Sequence, residues 1–168
     1  KLNSEFWYHY RIDKNQMIAS RIAGGVIWSY GNATTAPYTE QFYIGGANSV
    51  RAFSARSIGP GGYPPETDRK YTYINHVGDI RIEANIEYRF RMIADLHGAV
   101  FLDAGNVWLM RKDENRPNGE FTLKNFPKQI ALGTGFGLRY DLDFLVFRLD
   151  LGIGLHDPYD TGKSGYYN

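Results

Sequence analysis

The sequence contains no cysteine, which excludes disulfides and thiolate metal centres but leaves the compartment open. It holds no apolar run approaching the length of a membrane helix. It also lacks an excess of either charge. A formal net charge of +1 gives no argument for a nucleic-acid partner, since phosphate binding needs a clustered cationic face. No initiating Met and no basic-then-apolar leader precede Lys1, so the chain reads as following something removed or not included. With a mean hydropathy of −0.42, its 168 residues would pass for a soluble domain or a piece of a larger one. That average misleads for a membrane β-barrel, whose strands turn half their residues toward a polar lumen. Tyr and Gly are plentiful instead, 13 and 19 respectively, and this is the first hint of such a barrel.

The segment "DIRIEANIEYRF", Asp79 to Phe90, is the clearest element. Asp79, Arg81, Glu83, Asn85, Glu87 and Arg89 fall on one face of a strand, and Ile80, Ile82, Ala84, Ile86, Tyr88 and Phe90 on the other. At helical spacing the same charges would scatter round the cylinder. The alternation recurs in Phe144 to His156 and in Gln129 to Asp141, whose polar faces mix Arg148, Asp150 and Arg139 with glycines. Glu5 to Asp13, Met17 to Tyr30 and Leu96 to Trp108 complete six expected strands.

The connections alternate between short and long. Asp13 to Gln16, Arg91 to Asp95 and Leu142–Asp143 are tight, whereas Gly31 to Gly78, Arg111 to Lys128 and the segment from Asp157 are long. That rhythm fits an outer-membrane barrel with periplasmic turns and extracellular loops. Trp28, Tyr30, Tyr88, Phe90, Trp108 and Tyr140, near strand ends, are expected to form its interfacial aromatic girdle. Six strands are fewer than the roughly eight of the smallest bacterial barrels, and lipid does not tolerate an open sheet edge. The chain therefore reads as part of a larger barrel.

Within the longest connection lies "FYIGGANSVRAFSARSIGPGG", a glycine-rich loop with one embedded cation, Arg51. Its "GGANSVRAF" resembles the Gly-Gly-x-x-x-Val-Arg-Gly-Phe/Tyr loop motif of the outer-membrane assembly barrels, the BamA and TamA family, whose barrel is also called the bacterial surface antigen domain. "NIEYRF", "VFLDAGNVW", "GTGFGLRY" and "FRLDLGIGL" resemble the strands that follow in that family's order, so the likeness covers nearly the whole chain from Met17. It implies an all-β fold: an antiparallel transmembrane β-barrel, of which residues 1–168 are a C-terminal fragment of about six strands, not closed by this chain alone. The long loop, 31–78, is expected to fold inward. The N-terminal strands, the periplasmic POTRA domains and the last strand are expected to lie outside the sequence.

The resemblance implies a functional motif of Gly45, Gly46, Val50, Arg51, Ala52 and Phe53, with Arg51 meeting the acidic lumen partners Glu87 and Asp103. A buried guanidinium needs such partners. Ala52 departs from the family's glycine. Taken without its neighbours, Arg51 would read as a solvated loop charge.

Several fragments mimic catalytic or ligand motifs and fail. "TGKSG" (161–165) lacks the first glycine of a phosphate loop, and "DLDF" places Leu145 at the next calcium-loop position. His9, His76, His97 and His156 are dispersed and form no HExxH pair, so no metal site is expected. "GTGFG" fits small residues on a crowded lumen face, Glu83 and Glu87 among arginines fit a charge network, and the Asn32 sequon is incidental. No cofactor and no enzymatic activity are expected. The resemblance implies protein assembly, insertion or translocation in the bacterial outer membrane. The partners would be the lipid bilayer, unfolded outer-membrane client proteins and accessory lipoproteins or periplasmic subunits. Two alternatives stay open, a passive outer-membrane pore and the barrel anchor of an N-terminal lipase-like enzyme.

Overall fold

The computed structural model describes residues 1–30, 36–64, 75–93, 95–142 and 144–159. Parts of the long connection (31–35 with the Asn32 sequon, and 65–74), Ala94 and Asp143 in two turns, and residues 160–168 with "TGKSG" lie outside these.

Alternation of side chains resolves into six strands: β1 (Leu2–Arg11), β2 (Gln16–Val26), β3 (Ile80–Ile93), β4 (Leu96–Trp108), β5 (Ala131–Asp141) and β6 (Val146–His156). They form one antiparallel sheet in chain order, with β1 and β6 at its edges. At the short-turn end, Ile12 N–H bonds to Gln16 O at 3.0 Å, and Asn15 N–H bonds to Asp13 Oδ1 at 2.6 Å. Such side-chain-to-backbone bonds favour a tight turn over continued strand.

Boundaries of five strands differ from the sequence reading, and β6 begins at Val146 rather than Phe144. β1 runs from Leu2 to Arg11 rather than Glu5 to Asp13, because the turn already claims Ile12. β2 stops at Val26 rather than Tyr30: Ile27 still donates to Asp79 O at 2.8 Å, after which Trp28 and Tyr30 leave the sheet exposed. β3 continues past Phe90 to Ile93. β5 begins at Ala131 because Phe126–Gln129, with Pro127, forms a 3-10 turn.

The burial pattern is inverted relative to a soluble sheet. Glu83, Glu87 and Asp103 are buried, while Ile22, Ile86, Val100 and Leu151 on the opposite face are exposed. One face is covered by the inward-folded long connection and the other is bare. The apolar core is confined to the long-loop end, where Ile27, Phe42, Ile44, Val50, Ile58, Val107 and Ala131 pack together.

Hydrogen bonds among neutral side chains, together with the Asp79 carboxylate, close this end. Asn106 Nδ2 donates to Gly61 O at 2.8 Å, Trp108 Nε1 to Gln129 Oε1 at 2.9 Å, and Gln129 Nε2 to Asn118 O at 3.1 Å. Asp79 accepts from Gln41 Nε2 at 3.0 Å and from the Met110 N–H at 3.2 Å. Trp108 is accordingly not a girdle residue. It is fully buried against Phe121 and Phe126, because the loop after β4 folds back over it. Tyr88 and Tyr140 remain exposed near the short turns, as a girdle requires.

Candidate functional site

Strand register builds the site before the loop arrives. Pairing aligns Arg21, Asn85, Asp103 and Gly133 in one row across β2 to β5, and Ala19, Glu87, Phe101, Gly135 and Gly152 in the next row across β2 to β6. A one-residue slip would send both carboxylates to the bare face. The two rows therefore present Asp103 and Glu87 on either side of the Phe101 ring, all three buried.

The loop turns back on itself above these rows. Gly46 N–H bonds to Phe53 O at 2.7 Å, Arg56 N–H to Ile44 O at 3.0 Å, and Gly45 N–H to Ser49 Oγ at 3.1 Å. Gly45 and Gly46 hold φ of 97° and 89°, and a Cβ on Gly45 would lie 2.1 Å from Ser54 O. An L side chain cannot occupy that position without opening the turn. Val50 is fully buried in the apolar core, so the residue before the arginine fixes the depth of insertion.

Arg51 enters with its side chain 6% exposed. Its Nε and Nη2 each donate to Asp103 at 2.8 Å, a bidentate fork, and its own backbone N–H donates to Asp103 Oδ2 at 3.0 Å. Nη1 donates to Glu87, and the guanidinium lies 3.6 Å from the centre of the Phe101 ring. Cation, two anions and the negative face of an aromatic ring thus compensate one another in a site largely closed to water.

The sequence reading brought Arg51, Glu87 and Asp103 together, and the structure places them in contact. It did not identify the supporting groups. Asn85 Nδ2 donates to Asp103 at 2.8 Å and to Ser49 O at 2.9 Å, joining acid and loop. Arg139 bonds Glu87 at 2.9 Å and Arg89 bonds it at 2.5 Å. A second cluster lies beside the first, where Arg21 bonds Glu83 at 2.8 Å and Glu5 at 3.1 Å. Their signal was present as shared parity on the polar faces, but parity does not say which strand neighbours which.

The departure at Ala52 has a local answer. A Cβ on Gly133 would lie 2.5 Å from the Ala52 methyl, and one on Gly152 would lie 2.8 Å from Ala52 Cα. Those two glycines leave the space that the methyl occupies. Phe53 lies beyond, near Gly154, where a Cβ would come within 3.2 Å of its ring. The glycines on the polar faces of β5 and β6 are the floor of the loop's seat.

A paired sheet with an exposed apolar face, and a charged face covered by its own loop, defines a segment of a transmembrane β-barrel with its loop folded into the lumen. The model of the Omp85 superfamily domain matches residues 1–167, and the chain belongs to that superfamily. It is 31% identical over 163 residues to the outer membrane protein assembly factor BamA of Nitratidesulfovibrio vulgaris, covering 96% of this chain and 18% of that protein. It is 29% identical over 89 residues to BamA of Neisseria meningitidis serogroup B, covering 50% of this chain and 11% of that protein. The chain thus spans less than a fifth of either relative. In fold it is similar to the crystal structure of Haemophilus ducreyi BamA lacking POTRA domains 1–3. The TM-score is 0.70 at 19% identity, over 91% of this chain and 31% of that one. Family and relatives locate the chain in the bacterial outer membrane, where the exposed apolar face is the one suited to lipid and the loop-covered charged face the one suited to the lumen.

Proposed function

We propose that this chain is the barrel portion of an outer-membrane protein that assembles and inserts other outer-membrane proteins. The clients would be unfolded outer-membrane chains, received with the help of accessory lipoproteins or periplasmic subunits. POTRA domains would lie upstream and a further strand downstream. The reading assigns no covalent chemistry. Client strands would be handled by backbone pairing at a sheet edge, where unpaired N–H and C=O groups template an added strand. One observation carries it: a loop latched against the inner face by Arg51 on Asp103 and Glu87, which ties the loop to β3 and β4. Because the loop occupies the inner face, it argues against the passive pore.

The experiment is reconstitution of the full-length protein in lipid vesicles with an unfolded barrel client. Arg51→Ala is expected to leave the barrel folded and membrane-embedded while the yield of folded client falls. Undiminished client folding with a released loop would overturn the proposal. Large, steady single-channel conductance in the unaltered protein would favour the pore.

A further inference from the structure

We infer that Arg148 and Asp150 on β6 are positioning residues that tie the tip of the loop to the edge of the sheet, so that the seating of Arg51 depends on where β6 lies. The inference rests on the latch reading above. Arg148 Nη2 donates to Ala47 O at 2.8 Å and Nη1 donates to Asn48 Oδ1 at 3.3 Å, both at the loop tip. Asp150 orients that guanidinium through Nε at 2.5 Å. On its other side Asp150 faces Arg139 at 3.7 Å, and Arg139 bonds Glu87, which holds Arg51.

Charge therefore alternates in sign from β6 through β5 and β3 to the loop. Arg148, Asp150, Arg139, Glu87 and Arg51 are hydrogen-bonded in turn except between Asp150 and Arg139, which stand 3.7 Å apart as an ion pair. The link between Asp150 Oδ1 and Arg139 Nη1 is the loosest, since both atoms are buried and neither makes a hydrogen bond. It exists because β5 carries Gly137 beside it. A Cβ there would lie 2.3 Å from Asp150 Oδ1 and 2.8 Å from Arg139 Nη1.

Among the described strands β6 pairs with β5, and its Arg148 is the side chain that joins this pair to the loop tip. Displacing β6 withdraws Arg148 from the loop tip and Asp150 from Arg139. Arg139 is then left with Glu87 as its remaining carboxylate and competes with Arg51 for it. Movement of β6 against β5 would thus loosen the latch from a distance, through the charge chain.

The test is hydrogen exchange of the loop amides, Gly46 to Phe53, in the membrane-embedded full-length protein. Arg148→Gln is expected to speed exchange about fivefold, the effect of losing one charge-assisted bond in a half-wet site. Arg148→Lys should restore most of the protection, because an ammonium still reaches the Ala47 carbonyl. Gly137→Ala, which removes no charge, should speed exchange about twofold by parting Asp150 from Arg139. Arg148→Gln combined with Glu87→Gln should give less than the product of the two effects. The inference is overturned if Arg148→Gln and Gly137→Ala leave the loop unchanged while Arg51→Gln releases it. It is also overturned if their effects spread evenly along β5 and β6. If Arg51→Gln itself leaves the loop protected, the latch reading fails first.

Discussion

The two faces of this sheet solve opposite problems. On the lumen face, charged side chains are buried and each is matched. Asp103 is 0% exposed beside Arg51, and Glu83 is 1% exposed beside Arg21. On the lipid face, large apolar side chains stand bare, with Ile86 53% exposed and Leu151 66%. In water the first face would be the costly one and the second would aggregate. Within a bilayer the apolar band is solvated by lipid, and the lumen face is tolerable because its ions are paired and hydrogen-bonded. The comparison teaches that polarity alone does not say which face is sensitive. Matching does.

The sharpest way to break that matching is from inside. Arg51→Ala leaves Asp103 with Asn85 and the backbone N–H of residue 51, neither of them charged, and breaking a buried pair from one side costs about 3–5 kcal/mol, a ceiling that lumen water lowers. Glu87 keeps Arg89 and Arg139, so a double-mutant cycle scored by protease access to the loop should show Arg51 coupled more strongly to Asp103 than to Glu87. Arg51→Lys should rescue poorly, because an ammonium lacks the planar fork that Asp103 accepts.

Breaking it from outside comes next. Ile86→Arg should destabilise the barrel by about 2–4 kcal/mol if the position lies near the midplane, measured by urea unfolding in vesicles. Polarity of the face would have made Glu83 a tolerant position for the same substitution. Its pairing argues otherwise, since a third guanidinium beside Arg21 and Arg81 would replace the buried anion they share and leave them only the more exposed Glu5 in common. A lipid-phase probe should label a cysteine at Ile86 and miss one at Glu83.

A smaller effect should follow from the neutral hydrogen bonds at the long-loop end. Gln129→Leu strands the Trp108 indole N–H and leaves the Asn118 carbonyl with the Gly62 N–H as its donor, which should cost about 1–3 kcal/mol with little dependence on salt.

The smallest expected effect lies at the exposed loop surface. Burial raises the Asp113 pKa, but hydrogen bonds from Arg116 at 2.8 Å and from the Asn115 N–H at 3.0 Å outweigh it and hold the carboxyl below the ordinary aspartate value. A lowered folded-state pKa gives stability that is present above the unfolded value, about 3.9, and is lost as pH falls through the folded one. The change should be under about 1 kcal/mol and vanish in Asp113→Asn, as read from acid titration of loop exchange.

How much could be read in advance differs between these regions. The "DIRIEANIEYRF" alternation fixed both faces of β3, and the loop motif pointed to Arg51, Glu87 and Asp103, because period and local sequence carry that information directly. The fate of Trp108 was not legible. It sits at a strand end like a girdle residue, and only the loop folding back over it, with Gln129 accepting from its indole, makes it a buried one. Sequence alone determined six alternating strands and the short-and-long rhythm of their connections, since both follow from local spacing, and the resemblance of its loop motif implied that the one embedded cation enters a lumen. Only the tertiary structure decided that Asn85, Arg139 and Arg148 support that cation and that Gly133 and Gly152 make room for Ala52. Those contacts join residues far apart in the chain, and the register of paired strands, which no single strand specifies, brings them within hydrogen-bond reach.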